Sequence, residues 1–303
     1  MGKPFFTLFI FCIAALTYNL SAQNRKQQFD LLVEKKDTAG QRVLLEKWQL
    51  ADSNDAELYV AQFNYYVNIS RREILVFGDE PTGEALEIKS IDTANKEPVS
   101  YLYGQKDYNT VLLQMGFDCI SKGIKKHPAR LDMRFGKVYM YGAVLDWASF
   151  TDEIIKTVEY SATIKNKWLW ANNKPAENAK VLMLSSIQEY QAQLYNTNDD
   201  NLLVYIKSIA LAVLKHYPDN VESYSNLAVV YIISEDYDKA IEELKKAEKL
   251  APKDDIVLNN MAHAYKMKGD TENAIKYYKL VIQYGDESSK QFAESAIESL
   301  QTK

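Results

Sequence analysis

The chain has 303 residues, of which 47% are hydrophobic and 25% are charged, and its net charge is −5. These proportions are typical of a soluble globular protein, and the length suffices for two ordinary domains or for one extended solenoid. Lysine and arginine form no concentrated basic block, so the composition argues against nucleic acid as a partner.

The first 22 residues have the features of a secretory signal peptide. Lys3 supplies a positive charge, residues 5–16 are apolar, and small residues precede a cleavage site after Ala22. The apolar run is shorter than the roughly 20 residues of a membrane span. We therefore expect an exported protein, periplasmic or secreted, with no membrane span after cleavage. An uncleaved anchor is the alternative.

The two cysteines are separated by this cleavage. Removal of residues 1–22 takes Cys12 away and leaves Cys119 as the only thiol. We therefore expect no disulfide within the mature chain, and a buried, inert Cys119.

Residues 24–70 are expected to form three helices. Thr38-Ala-Gly40 is expected to end the first helix, and Ser53-Asn-Asp55 to cap the third. The third helix carries Tyr59 and Tyr66, whose spacing of seven recurs in the C-terminal repeats described below. It is therefore interpreted as the first helix of a divergent repeat.

Residues 71–105 do not follow the helical pattern. Three short β-prone stretches, at 73–77, 85–91 and 99–103, are separated by segments rich in Gly, Pro, Asp and Asn. They predict a small hairpin or a three-stranded insertion, with a long ordered loop as the alternative. In repeat arrays, such insertions project from one face, which is often the binding face.

Helices resume after this insertion. We expect them at 108–125, 129–141, 150–160, 187–195 and 202–215. The second is expected to pair with the third, and the fourth with the fifth. Residues 166–174, which include Trp168 and Trp170, are interpreted as a connection.

Two near-copies of a 34-residue unit occupy Val221–Gly285. Tyr224, Leu227, Ala228, Tyr231, Ala240, Leu244 and Ala247 of the first copy correspond to Leu258, Met261, Ala262, Tyr265, Ala274, Tyr278 and Val281 of the second. Pro252 closes the first copy, and Asp286 stands at the equivalent place in the second. Small residues let antiparallel helices approach closely, and large residues fill the gaps between neighbouring pairs.

This period and pattern resemble the tetratricopeptide repeat (TPR), and the chain as a whole resembles an exported bacterial TPR protein. The resemblance implies an all-α fold, a TPR-like α-solenoid of antiparallel helix pairs with a small β-rich insertion near 71–105. The expected organisation is a signal peptide (1–22), a divergent helical-repeat region (23–216), two TPR repeats (217–287) and a C-terminal capping helix (288–303).

In TPR proteins the first helix of each pair lines the binding face. The resemblance therefore implies a candidate peptide-binding groove formed by Ser225, Asn226, Val229, Asn259, Asn260, His263, Lys266 and Met267. Asn226 and Asn260 occupy equivalent positions, but the neighbouring positions lack the cations that would grip a peptide carboxylate. The asparagines are expected to hold an extended peptide backbone. The alternative is that they bond within their own helix pair.

No motif of catalysis or metal binding is present. His127 and His216 lie in turns near helix ends without ligands at metal spacing, and residues 196–207 lack the Gly and Glu of a calcium loop. Phosphate-binding, nucleophile-elbow and zinc-protease motifs are likewise missing. We therefore expect neither an enzyme nor a cofactor.

The most consistent function is a non-catalytic scaffold that binds a protein or peptide partner in the cell envelope. The alternative is a glycan-binding helical-repeat protein of an outer-membrane nutrient system. In that case the Tyr-rich helices, Trp168 and Trp170 would offer stacking platforms to sugars.

Overall fold

The computed structural model describes residues 24–81, 83–89 and 98–302. The predicted signal peptide, its cleavage site and Cys12 lie outside the described residues. Helices dominate the described chain, and the expected all-α repeat fold with one small β insertion is confirmed. No helix in the described ranges is long and apolar enough to span a membrane.

The chain divides into two compact units. The first contains the described residues up to Met133 together with Leu169–Lys174, and the second contains Arg134–Trp168 and the residues from Pro175 onward.

Four helices form the body of the first unit: α1 (24–34), α2 (Thr38–Ala51), α3 (Ala56–Ser70) and α4 (Thr110–Lys126). The three helices expected over 24–70 are therefore present, but Thr38 and Gly40 belong to the first turn of α2. Asp37 caps that turn by accepting a hydrogen bond from the Gly40 N–H, so the break comes slightly earlier than predicted. Trp48 and Leu58 lie in a core that α1, α2 and α3 share.

The insertion is a three-stranded antiparallel sheet made of β1 (Arg71–Gly78), β2 (Ala85–Lys89) and β3 (Pro98–Tyr108), in the order β1-β3-β2. Strands are present at all three predicted places, although residues 90 and 91 of the second predicted strand lie outside the described residues, and β3 is longer than expected because Tyr108 pairs with Arg71. The helix predicted from Tyr108 therefore begins at Thr110, where Asn109 caps it through the Leu112 N–H.

The helices that follow are α5 (Leu131–Ala143), α6 (Trp147–Thr163), α7 (Ala179–Tyr195) and α8 (Leu203–His216). The short strands β4 (Leu169–Trp170) and β5 (Lys174–Pro175) lie in the connection between α6 and α7. The side chains of α5 and α6 meet where Arg134 pairs with Glu153 at 3.0 Å. Helix α7 packs on α8, as predicted.

The C-terminal repeats consist of α9 (Val221–Ile233), α10 (Tyr237–Leu250), α11 (Asp255–Lys268), α12 (Thr271–Tyr284) and α13 (Glu287–Gln301). Helices α9 and α10 pack together as one pair, α11 and α12 pack as the next, and α13 follows against α12. Each helix starts at an Asn or Asp whose side chain accepts a backbone N–H of the first turn, at Asn220, Asp236, Asp254, Asp270 and Asp286. Such a cap stabilises a helix by about 1 kcal/mol.

The core of the repeats is built from the residues that define the period. The alanines at equivalent helix contacts are completely buried: Ala228, Ala240, Ala247, Ala262 and Ala274. Leu244 and Leu258 are also fully buried, and burial of a leucine side chain contributes about 2 kcal/mol. Tyr224, Tyr231 and Tyr265 pack against this core while partly exposed. The predicted packing of small against large residues is thus present.

Candidate peptide-binding groove

One cavity of about 390 Å³ lies in the second unit, against the first turns of α9 and α11. Helix α9 lines it with Glu222, Ser225, Asn226 and Val229, which share one helix face because they follow the spacing i, i+3, i+4, i+7. The start of α11 adds Asp254, Ile256, Val257 and Asn260. The volume is within the range of small ligand sites. We call this cavity the amide groove because the side-chain amides of Gln188, Gln191, Asn226 and Asn260 line it.

The structure brings four of the eight predicted groove residues together: Ser225, Asn226, Val229 and Asn260 line the amide groove. Asn259 instead lines a smaller cavity, of about 300 Å³, together with Phe292 of α13. His263, Lys266 and Met267 lie further along α11 and line neither of these two cavities. The eight residues therefore lie on one helix face in each repeat, but only half of them share a concavity.

Asn226 is already hydrogen-bonded. Its Nδ2 donates to Gln188 Oε1 at 2.7 Å, and Gln188 Nε2 donates back to Asn226 Oδ1 at 3.3 Å. Gln188 is on α7, so this reciprocal amide pair joins two neighbouring first helices. The sequence-based alternative of a bond within the helix pair is therefore wrong for Asn226, because its partner comes from the preceding repeat.

Gln191, one turn further along α7, differs from Asn226 because its side-chain oxygen has no hydrogen-bond partner among the described residues. The residue lines the amide groove, is only 2% exposed, and its Oε1 accepts no hydrogen bond among the described residues. Leaving a buried acceptor unsatisfied costs about 1–3 kcal/mol. The groove thus contains an acceptor that would gain a bond from an N–H donor placed in it.

The contribution of α7 was missed in the sequence analysis, although the period contains it. Counting back 34 residues from α9 gives the α7 residues that line the groove. The equivalent sets are Gln188, Glu222 and Ile256; Gln191, Ser225 and Asn259; Ala192, Asn226 and Asn260; Tyr195, Val229 and His263. Helices α7 and α9 therefore line the groove with residues that are 34 positions apart, so the spacing of the repeats also describes the lining contributed by α7.

The charge of the amide groove is negative. Glu222 and Asp254 line it, and no Lys, Arg or His is among the described residues that do so. Asp254 Oδ1 caps α11 by accepting the N–H groups of Ile256 and Val257, which leaves Oδ2 for another partner. Tyr195, at the end of α7, lines the same groove with half of its surface exposed. The lining thus combines amides, carboxylates and one accessible aromatic ring.

Three family models match the repeats. One described as TPR repeat matches residues 230–269, and two described as tetratricopeptide repeat match residues 209–242 and 257–284. These are tetratricopeptide repeats. The resemblance inferred from the 34-residue period is confirmed for this part of the chain, and the TPR matches include α9 and the start of α11, which line the amide groove.

The chain is also similar to solved structures of TPR proteins. A crystal structure of MamA protein has 15% identity and a TM-score of 0.35, covering 58% of this chain and 85% of that one. TTC0263, a thermophilic TPR protein in Thermus thermophilus, has 14% identity and a TM-score of 0.37, covering 61% and 90%. YrrB, described as a TPR protein with an unusual peptide-binding site, has 12% identity and a TM-score of 0.39, covering 83% and 97%.

No curated protein matches the chain.

The histidines take no part in the groove. His127 and His216 lie at the C-terminal ends of α4 and α8, each with a buried Nε2 that has no partner among the described residues. Burial lowers the pKa of His127, and burial together with the nearby Lys266 lowers the pKa of His263, so both are neutral at neutral pH. Within the described ranges, no three His, Cys, Asp or Glu residues are grouped closely enough to hold a metal ion.

The two tryptophans proposed as sugar platforms differ in exposure. Trp168 is 1% exposed, its Nε1–H donates to Ser161 Oγ at 2.8 Å, and the Arg134 guanidinium lies over its ring at 5.7 Å. The prediction that Trp168 stacks on a sugar is therefore wrong, because both its ring and its N–H are already occupied. Trp170 is partly exposed.

Proposed function

We propose that this TPR chain is a non-catalytic scaffold that binds a protein or peptide partner in the cell envelope through the amide groove. The observation that supports this most is the cavity itself, whose lining contains Ser225, Asn226, Val229 and Asn260 together with Gln191, the Oε1 of which is buried and lacks a donor among the described residues. An extended peptide offers the alternating N–H and C=O groups that such amides bond.

Apolar side chains also line the groove. Ile206, Val221 and Val257 line it together with the amides, so a small side chain of the ligand would lose water contact beside them. Amides that fix a backbone and apolar walls that take side chains are the usual composition of a ligand site. The envelope setting is supported by the signal-peptide features of residues 1–22.

A pull-down from an envelope fraction tests this function. The double variant Gln191→Met/Asn260→Ala removes the unfilled acceptor and one further groove amide, and each hydrogen bond contributes about 1 kcal/mol. We expect the variant to lose roughly tenfold or more in affinity for the partner that the wild-type chain recovers. The matched control is Lys266→Ala/Met267→Ala, which alters α11 outside the amide groove and should recover that partner fully.

Two results would contradict the proposal. One is that the wild type and the Gln191→Met/Asn260→Ala variant recover the same proteins in the same amounts. The other is that the wild type recovers polysaccharide on a glycan array and no protein, which would favour the glycan-binding alternative.

A further inference from the structure

We infer that the amide groove selects an extended peptide segment with a lysine or arginine side chain, and that it disfavours a free peptide carboxylate. This inference rests on the proposed function and adds the chemistry of the ligand. It is carried by three features of the lining: its charge, its exposed aromatic ring and its unfilled acceptor.

The charged residues of the groove have one sign. Glu222 is exposed in the first turn of α9, and Asp254 is the N-cap residue of α11, so the two acidic residues of the lining both lie at helix N-termini. Asn220 Nδ2 donates to one oxygen of Glu222 at 2.7 Å, which holds that carboxylate in place while its second oxygen stays open. A ligand carboxylate would meet two negative charges here, whereas an ammonium or guanidinium group would be attracted.

Tyr195 strengthens the preference for a cation. Its ring is half exposed and lies in the same lining as the two carboxylates. A lysine or arginine head group is attracted to the face of an aromatic ring, and its alkyl stem covers apolar surface. Val229 and Ile256 are the apolar members of the same lining along which that stem would pack.

Gln191 supplies the acceptor for the peptide. Its Oε1 is buried and lacks a donor among the described residues, and every residue of an extended peptide except proline carries an N–H. A main-chain N–H seated there satisfies a group that is unsatisfied in the free protein. The lining therefore distinguishes a peptide with a basic side chain from an acidic peptide, and an internal segment from a free C-terminus.

A library of random hexapeptides, acetylated and amidated at their ends, provides the probe. The full chain is used for selection, and selected peptides are remeasured by fluorescence anisotropy with the basic residue replaced by norleucine. We expect lysine or arginine to be enriched at one position, and the norleucine peptide to bind roughly three- to tenfold more weakly. The difference should shrink as salt is raised.

Two matched variants test whether the acidic residues of the groove cause the preference for a basic peptide. Glu222→Gln/Asp254→Asn removes two charges but keeps side-chain shape, and asparagine remains a good helix cap at position 254. We expect it to lose most of the preference for the basic peptide over the norleucine peptide, with only the contribution of Tyr195 remaining. Asp238→Asn/Glu242→Gln makes the same change in net charge on exposed positions of α10 outside the groove, and should keep the wild-type preference.

The outcomes separate this inference from the proposed function. If the wild type selects peptides that the Gln191→Met/Asn260→Ala variant does not bind, but these show no basic enrichment, only the inference is overturned. It is also overturned if Glu222→Gln/Asp254→Asn keeps the preference, or if a free C-terminal carboxylate tightens binding. If no peptide is selected, or if selected peptides bind the Gln191→Met/Asn260→Ala variant unchanged, both fail.

Discussion

Arg130 is the most enclosed charged side chain of the first unit. It is completely buried, its Nη1 lies 2.8 Å from Glu57 Oε1, and its Nε and Nη2 donate to both oxygens of Asp132. Glu57 also accepts the Asn172 N–H at 2.7 Å, so the carboxylate holds the connecting segment as well as the arginine. The value of such a network lies in its completeness, because each member would be costly to bury alone.

Removing Glu57 should therefore be strongly destabilising. Glu57→Ala leaves the Arg130 charge with one carboxylate instead of two and the Asn172 N–H without its acceptor, and we expect a loss of about 3 kcal/mol in the free energy of unfolding. The control is Glu46→Ala, which breaks only an exposed pair with Arg42 and should change stability by less than about 0.5 kcal/mol. Urea denaturation measures both. Equal effects would show that the buried pair adds no stability.

Removal of the hydroxyl should change stability in opposite directions at the two adjacent tyrosines of α12, Tyr277 and Tyr278. Tyr277 donates to Glu248 Oε2 at 3.1 Å, and burial and that carboxylate raise its pKa, so its hydroxyl stays protonated. Tyr278 is completely buried and its hydroxyl has no partner among the described residues. We expect Tyr277→Phe to cost about 1 kcal/mol, and Tyr278→Phe to be neutral or stabilising by a similar amount. Thermal unfolding of the two variants compares them, and a larger loss for Tyr278→Phe would contradict the assignment.

At the scale of single elements, the two repeats differ in the turn between their helices. Gly269 follows α11 with φ 84°, whereas its equivalent after α9, Glu235, has φ 58°. Both values are in the left-handed region, which costs a non-glycine residue about 1 kcal/mol. A side chain at Gly269 would meet no atom within 4 Å, so the difference is one of backbone conformation and not of space.

This difference predicts that exchanging the residues at positions 269 and 235 changes stability in opposite directions. Gly269→Glu should destabilise the chain by about 1 kcal/mol, and Glu235→Gly should stabilise it by roughly 0.5 kcal/mol, because the relief of backbone strain is partly offset by the larger entropy that glycine loses on folding. Chemical denaturation with both single variants tests this, and the double exchange serves as a control because the changes should partly cancel. A stabilising Gly269→Glu would show that the turn is not strained.

Elements were predictable from sequence where a local signal marks them. Asp236 and Asp270 cap helices at equivalent positions, and the alanines of the period indicate which faces meet. The end of β3 was not predictable, because Tyr108 is a strand residue only through its distant partner Arg71. For the groove, the faces of α9 and α11 were predictable. Which turns of α7, α9 and α11 line a common cavity depends on tertiary packing. The position of Met267 outside that cavity could not be predicted for the same reason.

At the scale of the whole molecule, stability should depend on pH through two partly buried histidines. Burial lowers the folded-state pKa of His127 in the first unit and of His263 in the second. The unfolded chain then binds more protons than the folded chain as the pH falls below the ordinary value of about 6.5. We therefore expect the free energy of unfolding to decrease between about pH 7 and pH 5.

Denaturation midpoints across this range measure the effect. His263→Gln should flatten the decrease, and His127→Gln/His263→Gln should flatten it further, because glutamine does not take up a proton. Above about pH 5 most carboxylates remain ionised and contribute little to the slope. An unchanged slope in the double variant would show that other groups control the acid sensitivity.

The reciprocal pair between Gln188 and Asn226 has a consequence for how selectivity is distributed. Gln188 uses one of the two N–H groups and one of the two acceptor lone pairs of the Asn226 amide, so a ligand has only the remaining half of that amide to bond unless it breaks the pair. Gln191 Oε1 has no hydrogen-bond partner among the described residues, so a donor that reaches it adds a hydrogen bond without breaking one. Selectivity is therefore shared between the free half of the Asn226 amide and the unfilled acceptor of Gln191 on α7, and only a ligand that breaks the Gln188 pair loses a hydrogen bond by binding.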